Sequence, residues 1–152
     1  MAQSDSVAQN TSVSFGNYLI ASATSVSLAA TGNSVAALPI LGGGLTAGTS
    51  SGTSGAVIVR RVTVQNASAN VSTGNVTIYI SNDGNSSNAV TTSTGTVLSS
   101  LNGNSNFQDL TIISPYTTTE VNGFNAQAFF VRVGTAVAGT VDIRIYGDTV
   151  SA

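Results

Sequence analysis

The chain has 152 residues, of which 41% are hydrophobic and only 7% charged, and its formal net charge at pH 7 is -2. That length suits one domain able to bury a core without covalent staples, and the repeated Val/Ile runs with so little net charge exclude a disordered polyelectrolyte. The absence of Cys, His, Trp and Lys removes disulfide frameworks, imidazole and thiolate catalysis, and Schiff-base chemistry.

The N-terminus, Met1-Ala2-Gln3-Ser4-Asp5-Ser6, places no basic residue ahead of an apolar core, so no secretory signal is expected. No Asp, Glu, Lys or Arg stands between Asp5 and Arg60. This uncharged third is expected to begin as an extended arm over residues 1–20 that packs along a neighbouring subunit, with residues 21–152 forming a single β-sandwich domain. Weak strand patterns cover residues 22–28 and 35–41. Residues 35–45 are the most apolar stretch, too short to span a bilayer and interrupted by Pro39 and Gly42-Gly43-Gly44, so no membrane partner is expected. Gly48-Thr49-Ser50-Ser51-Gly52-Thr53-Ser54-Gly55 reads as a loop.

Residues 56–66 predict a longer strand whose apolar positions change phase at Arg60-Arg61, as a bulge or burial on two faces would produce. Alternation along a strand sends these two Arg to opposite faces, where each satisfies polar groups at an edge or a subunit contact. Four Arg against six acids form no basic stripe, so no nucleic-acid partner is expected. Residues 75–81 set Val76, Ile78 and Ile80 on one face and Thr77 and Tyr79 on the other, which predicts a half-buried strand. Ser81-Asn82-Asp83-Gly84-Asn85 then reads as a hairpin turn, since Asp-Gly favours left-handed turn geometry; as a calcium loop it lacks the alternating acids and distal Glu. Strands are predicted over residues 89–98, 107–113 and 127–133. Over residues 140–146, Val141, Ile143 and Ile145 alternate with Asp142, Arg144 and Tyr146, the clearest strand of the chain.

No helical period interrupts this series. The fold class expected is all-β, an antiparallel β-sandwich of about eight strands with a jelly roll as the specific form. Its surface, poor in ions and rich in Ser, Thr, Asn and Gly, suits a subunit whose hydroxyls and amides hydrogen-bond across an interface without stripping water from charges. A homo-oligomer is the expected partner state.

Side-chain chemistry is sparse. Glu120 with one of five Asp could form a paired-carboxylate site, yet few aromatics stand ready to hold a sugar, so no catalytic residue, cofactor or metal is assigned. Tyr18, Tyr79, Tyr116 and Tyr146 offer stacking surfaces or, more simply, sheet packing. The Asn-x-Ser/Thr triplets at Asn10, Asn66, Asn70, Asn75 and Asn85 follow from composition.

Phe129-Phe130-Val131-Arg132-Val133, a short turn, and Ala138-Gly139-Thr140-Val141-Asp142-Ile143-Arg144-Ile145-Tyr146 resemble the closing hairpin of small tailed-phage virion proteins. With the lack of Cys and the Ser/Thr/Asn/Gly-rich body, the chain is similar to jelly-roll capsid decoration, or cement, proteins. That resemblance implies a non-catalytic homotrimer, made in the host cytoplasm, seated on the capsid surface and bridging major capsid protein subunits. A tail-fibre or adhesin-type β-sandwich binding module is the alternative.

Overall fold

The computed structural model describes residues 18–40, 55–81, 90–103, 106–113, 116–118, 120–121, 124–125 and 128–151. The long strands are β1 (Tyr18–Ser27), β2 (Gly32–Pro39), β3 (Gly55–Gln65), β4 (Asn75–Ser81), β11 (Ala128–Thr135) and β12 (Thr140–Ser151). Between them run the short pieces β5 (Val90–Thr91), β6 (Thr96–Val97), β7 (Phe107–Asp109), β8 (Tyr116–Thr118), β9 (Glu120–Val121) and β10 (Phe124–Asn125).

Two five-stranded antiparallel sheets form the sandwich. In sheet A the order is β1-β12-β3, with the far side of β3 shared by β7 at Thr63–Gln65 and β8 at Ala56–Ile58. In sheet B the order is β2-β11-β4, with the far side of β4 shared by β6 at Asn75–Val76 and β5 at Tyr79–Ile80. Counted with each broken edge as one strand, the sandwich has about eight; β1 to β4 alternate between the sheets, while β4 and β11 pair within sheet B and β12 returns to sheet A. β9 and β10 make a separate two-stranded ladder.

Alternation builds the core. Val62 and Val64 of β3, Val141, Ile143 and Ile145 of β12, Val76, Ile78 and Ile80 of β4, and Phe129, Val131 and Val133 of β11 turn inward and are buried, with Leu28, Leu98 and Leu101 closing the ends. Each such side chain contributes about 1.5–3 kcal/mol on leaving water.

The phase change in β3 is a bulge. Tyr146 faces Arg61 but Gly147 faces Val59, leaving Arg60 as the extra residue. Beyond the bulge the inward parity moves to Val59, and β12 continues past Tyr146 to Ser151 because Gly147 lets the two backbones close up there. Two more irregularities bend β1, one at Ile20 and one between Ala23 and Val26. The span assigned to an arm overlaps β1, since Ile20 is fully buried in the core; residues 1–17 lie outside the described residues.

Two expected continuous strands are broken, and the physical reason is edge closure. Residues 89–98 pair with β4 only at their ends, as β5 and β6, and residues 107–113 pair with β3 only as β7. Between those pieces the chains turn toward each other: Ser93 bridges Ile112, Thr94 N–H donates to the Thr111 carbonyl (2.9 Å), and Ile113 N–H donates to the Thr92 carbonyl (2.9 Å). At the opposite edge Ala21 of β1 bridges Ile40, just past β2. The two sheets are thus bridged at both edges, which narrows the stretch of open edge that a foreign strand could pair with.

Candidate interaction faces

The outer face of sheet A gathers the charge. Arg60 and Arg61 of β3, Asp142, Arg144 and Asp148 of β12 and Asp109 of β7 all stand on it. Arg60 Nε lies 3.1 Å from Asp148 Oδ2, and Arg61 Nε lies 2.9 Å from Asp109 Oδ1, which also accepts the Thr63 hydroxyl at 2.9 Å. The expectation that Arg60 and Arg61 take opposite faces is overturned. The bulge interrupts alternation, so both guanidiniums reach solvent on one side, with side chains 41% and 49% exposed. Phe107, 56% exposed at the margin of this face, has the Arg61 guanidinium 5.5 Å from its ring centroid.

Asp142 does something different. Its Oδ1 accepts the Ser25 N–H at 2.9 Å and its Oδ2 accepts the Asn66 side-chain N–H at 2.8 Å. Sequence reasoning read Asp142 as a plain outward strand residue. Its partners are 117 and 76 positions away, so no local pattern announces them.

The outer face of sheet B is of another kind. Arg132 is the one charged side chain among its described residues, and its guanidinium lies 6.0 Å from the Tyr79 ring centroid. Tyr79 stacks on Phe130 at 5.8 Å and donates its hydroxyl to the Asn33 carbonyl. That carbonyl is presented by an irregularity in β2, where Asn33, Ser34 and Val35 stand opposite Arg132 between the pairs Ala36–Val131 and Gly32–Val133. β4 is therefore not half-buried as its alternation predicts: Thr77, Tyr79 and Ser81 are also shielded from water. Gly95, whose added Cβ would stand 3.1 Å from Thr77 Oγ1, lies against Thr77, while Phe130 and Arg132 flank Tyr79.

Of the four Tyr singled out, Tyr79 is sheet packing, Tyr146 is half-buried on the charged face and Tyr18 is 49% exposed at the start of β1. The side chains of Tyr116 and Glu120 fall outside the described residues, as do residues 82–89 with most of the expected turn; β4 and β5, on either side of it, pair antiparallel. Three triplet asparagines have structural work. Asn66 is bound by Asp142, Asn70 Oδ1 accepts the Ser72 N–H (3.1 Å) and hydroxyl (2.7 Å), and Asn75 Oδ1 would stand 3.2 Å from a Cβ at Gly95 or at Gly134. Asn10 and Asn85 lie outside the described residues.

Among the described residues the structure builds a sandwich with two chemically distinct faces. Comparison with protein-family models, with curated proteins and with solved structures found no match to this chain.

Proposed function

We propose that this protein is a non-catalytic structural subunit of a virion, a capsid decoration or cement protein that seats on the assembled shell and bridges major capsid protein subunits. The observation that carries the reading is the partition of charge. The described charges other than Arg132 collect on the outer face of sheet A, two pairs of them already closed as ion pairs. The rest of the described surface carries hydroxyls, amides and apolar groups such as Val35, Val97 and Ile113, which dock without a large desolvation cost.

The strand order supports a jelly roll. With each broken edge counted once, one sheet holds the first, eighth, third and sixth strands and the other the second, seventh, fourth and fifth, as two interlocked Greek keys would. Bridging at the edges supports attachment through a face or through loops, since strand addition needs a free edge. The mechanism is linkage: a subunit that binds only the assembled shell stabilises it, by about 2.7 kcal/mol per site when free subunit stands at a hundred times its Kd. Repetition by symmetry, as in a homotrimer on the capsid surface, adds avidity.

Light scattering across a dilution series, followed by co-sedimentation with assembled and with disassembled shells, tests the reading. A stable trimer that sediments with assembled shells only, with weak dependence on salt between low and moderate ionic strength, is the expected result. A persistent monomer that ignores shells sinks it. The second reading, a tail-fibre or adhesin-type binding module, is favoured by Phe107, an exposed ring backed by Arg61; it predicts loss of receptor binding in Phe107→Ala with no effect on shells.

A further inference from the structure

The loop from β6 to β7 brings the groups for a covalent change around one asparagine. Leu98 and Leu101 are fully buried, the Leu101 N–H donates to the Leu98 carbonyl at 2.8 Å, and the Leu101 carbonyl accepts the Val71 N–H at 3.0 Å. The chain entering Asn102 is therefore fixed. Asn102 itself is exposed, and the next residue is Gly103, where an added Cβ meets no atom within 4 Å. Among the described residues the Gly103 N–H donates no hydrogen bond. The Asn106 side-chain amide donates to the Ser100 carbonyl at 3.0 Å and to Asn102 Oδ1 at 2.8 Å.

We propose that Asn102 is a self-modifying site. The Gly103 backbone nitrogen, having given its proton to solvent base, attacks Asn102 Cγ. The Asn106 N–H donates to Oδ1 as that oxygen takes up negative charge, then the bond from Cγ to Nδ2 breaks and ammonia leaves. The product is a succinimide. Water adds to either of its carbonyls and opens the ring to aspartate or isoaspartate. Nitrogen departs as ammonia and oxygen enters from water, so the sum is hydrolysis of one amide and needs no other reactant.

Three features concentrate the reaction here. Gly103 has no Cβ to crowd the attack, the Asn102 side chain is exposed to solvent, and a donor already in place at Oδ1 stabilises the oxyanion of the intermediate. Asn66, Asn70 and Asn75 lack the combination: each precedes a residue with a side chain, Ala67, Val71 or Val76, which crowds the attack even at Asn70, whose Oδ1 has donors in place from Ser72, and the Asn66 and Asn75 amides are held against Asp142 and the two glycines. The change adds one negative charge to the formal -2 of the chain. On the isoaspartate branch it also lengthens the main chain beside Gln108, whose side chain ties β7 to the Val97 carbonyl at 2.7 Å and the Ser100 N–H at 2.9 Å.

The test is incubation of the folded protein at mildly alkaline pH with peptide mass mapping over time, alongside Gly103→Ala and Asn106→Ala, each checked for an unchanged melting temperature. The expected result is conversion at Asn102, its near-abolition in Gly103→Ala, and a rate roughly fivefold lower in Asn106→Ala, the effect of one lost hydrogen bond to the intermediate. The direction in Asn106→Ala is decisive, because a side chain that merely restrained the loop would speed the reaction on removal. An Asn102 that stays intact while Asn122, which also precedes a Gly, converts would overturn the proposal, as would a faster or unchanged rate in Asn106→Ala.

Discussion

Ser25 and Asn66, the non-glycine residues with positive φ among the described residues (54° and 53°), are held by the two oxygens of a single carboxylate, that of Asp142. Ser25 sits where β1 departs from its register against β12, and Asn66 follows the last residue of β3. Left-handed backbone costs about 1–2 kcal/mol per residue for L-amino acids, so one side chain offsets strain at two places on opposite sides of its own strand. Removing it in Asp142→Ala should lower stability by about 2 kcal/mol, the scale of two partly exposed hydrogen bonds to a charged acceptor. Urea denaturation should show a lower midpoint at unchanged slope.

The same geometry separates Ser25 from Asn66. Ser25 is held through its backbone N–H, which glycine retains, so Ser25→Gly should stabilise by about 0.5–1 kcal/mol as the left-handed strain is relieved. Asn66 is held through its side chain, so Asn66→Gly should give no such gain. Thermal melts of the two variants side by side would show whether they diverge.

Gly147 is required by contact. A Cβ there would lie 1.9 Å from the Ile58 carbonyl oxygen and 2.8 Å from Ile20 Cδ1. Since the oxygen belongs to the facing strand at the Arg60 bulge, it has no room to retreat. Gly147→Ala should cost about 3 kcal/mol or more, visible as a large fall in denaturation midpoint or as loss of soluble protein; a melting temperature within a degree or two of the parent would contradict the bulge.

Ser93 and its neighbour Thr92 should respond in opposite directions, although both are fully buried. Ser93 Oγ accepts the Ile78 N–H at 2.9 Å, filling the gap between β5 and β6, so Ser93→Ala strands a buried donor and should cost about 1–3 kcal/mol. Thr92 Oγ1 is buried with no hydrogen-bond partner. Thr92→Val should therefore be neutral or stabilising by up to about 1 kcal/mol.

The ion pairs of sheet A should matter little to stability. Arg60→Ala and Arg61→Ala should each cost under about 1 kcal/mol, because both guanidiniums are well exposed. The difference from the parent should shrink as salt is raised. A cost that persists in high salt would mean that the packing of Arg61 against Phe107, rather than its charge, dominates.

Most of the architecture was legible in the sequence because period-two alternation is local. Residues 75–81 and 140–146 announce their inward faces by Val and Ile at every second position, and the phase slip at Arg60-Arg61 announces a bulge. Legibility ended where two distant segments decide a structure jointly. Residues 89–98 and 107–113 each read as one strand, and each leaves its ladder where residues 92–94 and 111–113 pair with each other. The outer side of β4 reads as solvent-facing, and it is shielded because Phe130, Arg132 and Gly95 arrive from elsewhere in the chain.

By itself the sequence determined that this is a β-protein, with a core of β-branched side chains, few charges and no imidazole or thiol, since composition and alternation are properties of the chain read in order. Tertiary structure alone decided that the two Arg share a face, that Asp142 clamps two left-handed turns and that both edges of the sandwich are bridged. The physical reason is that hydrogen bonds and ion pairs act over about 3 Å in space without regard to separation along the chain, and only the pairing of strands determines which residues come within that reach.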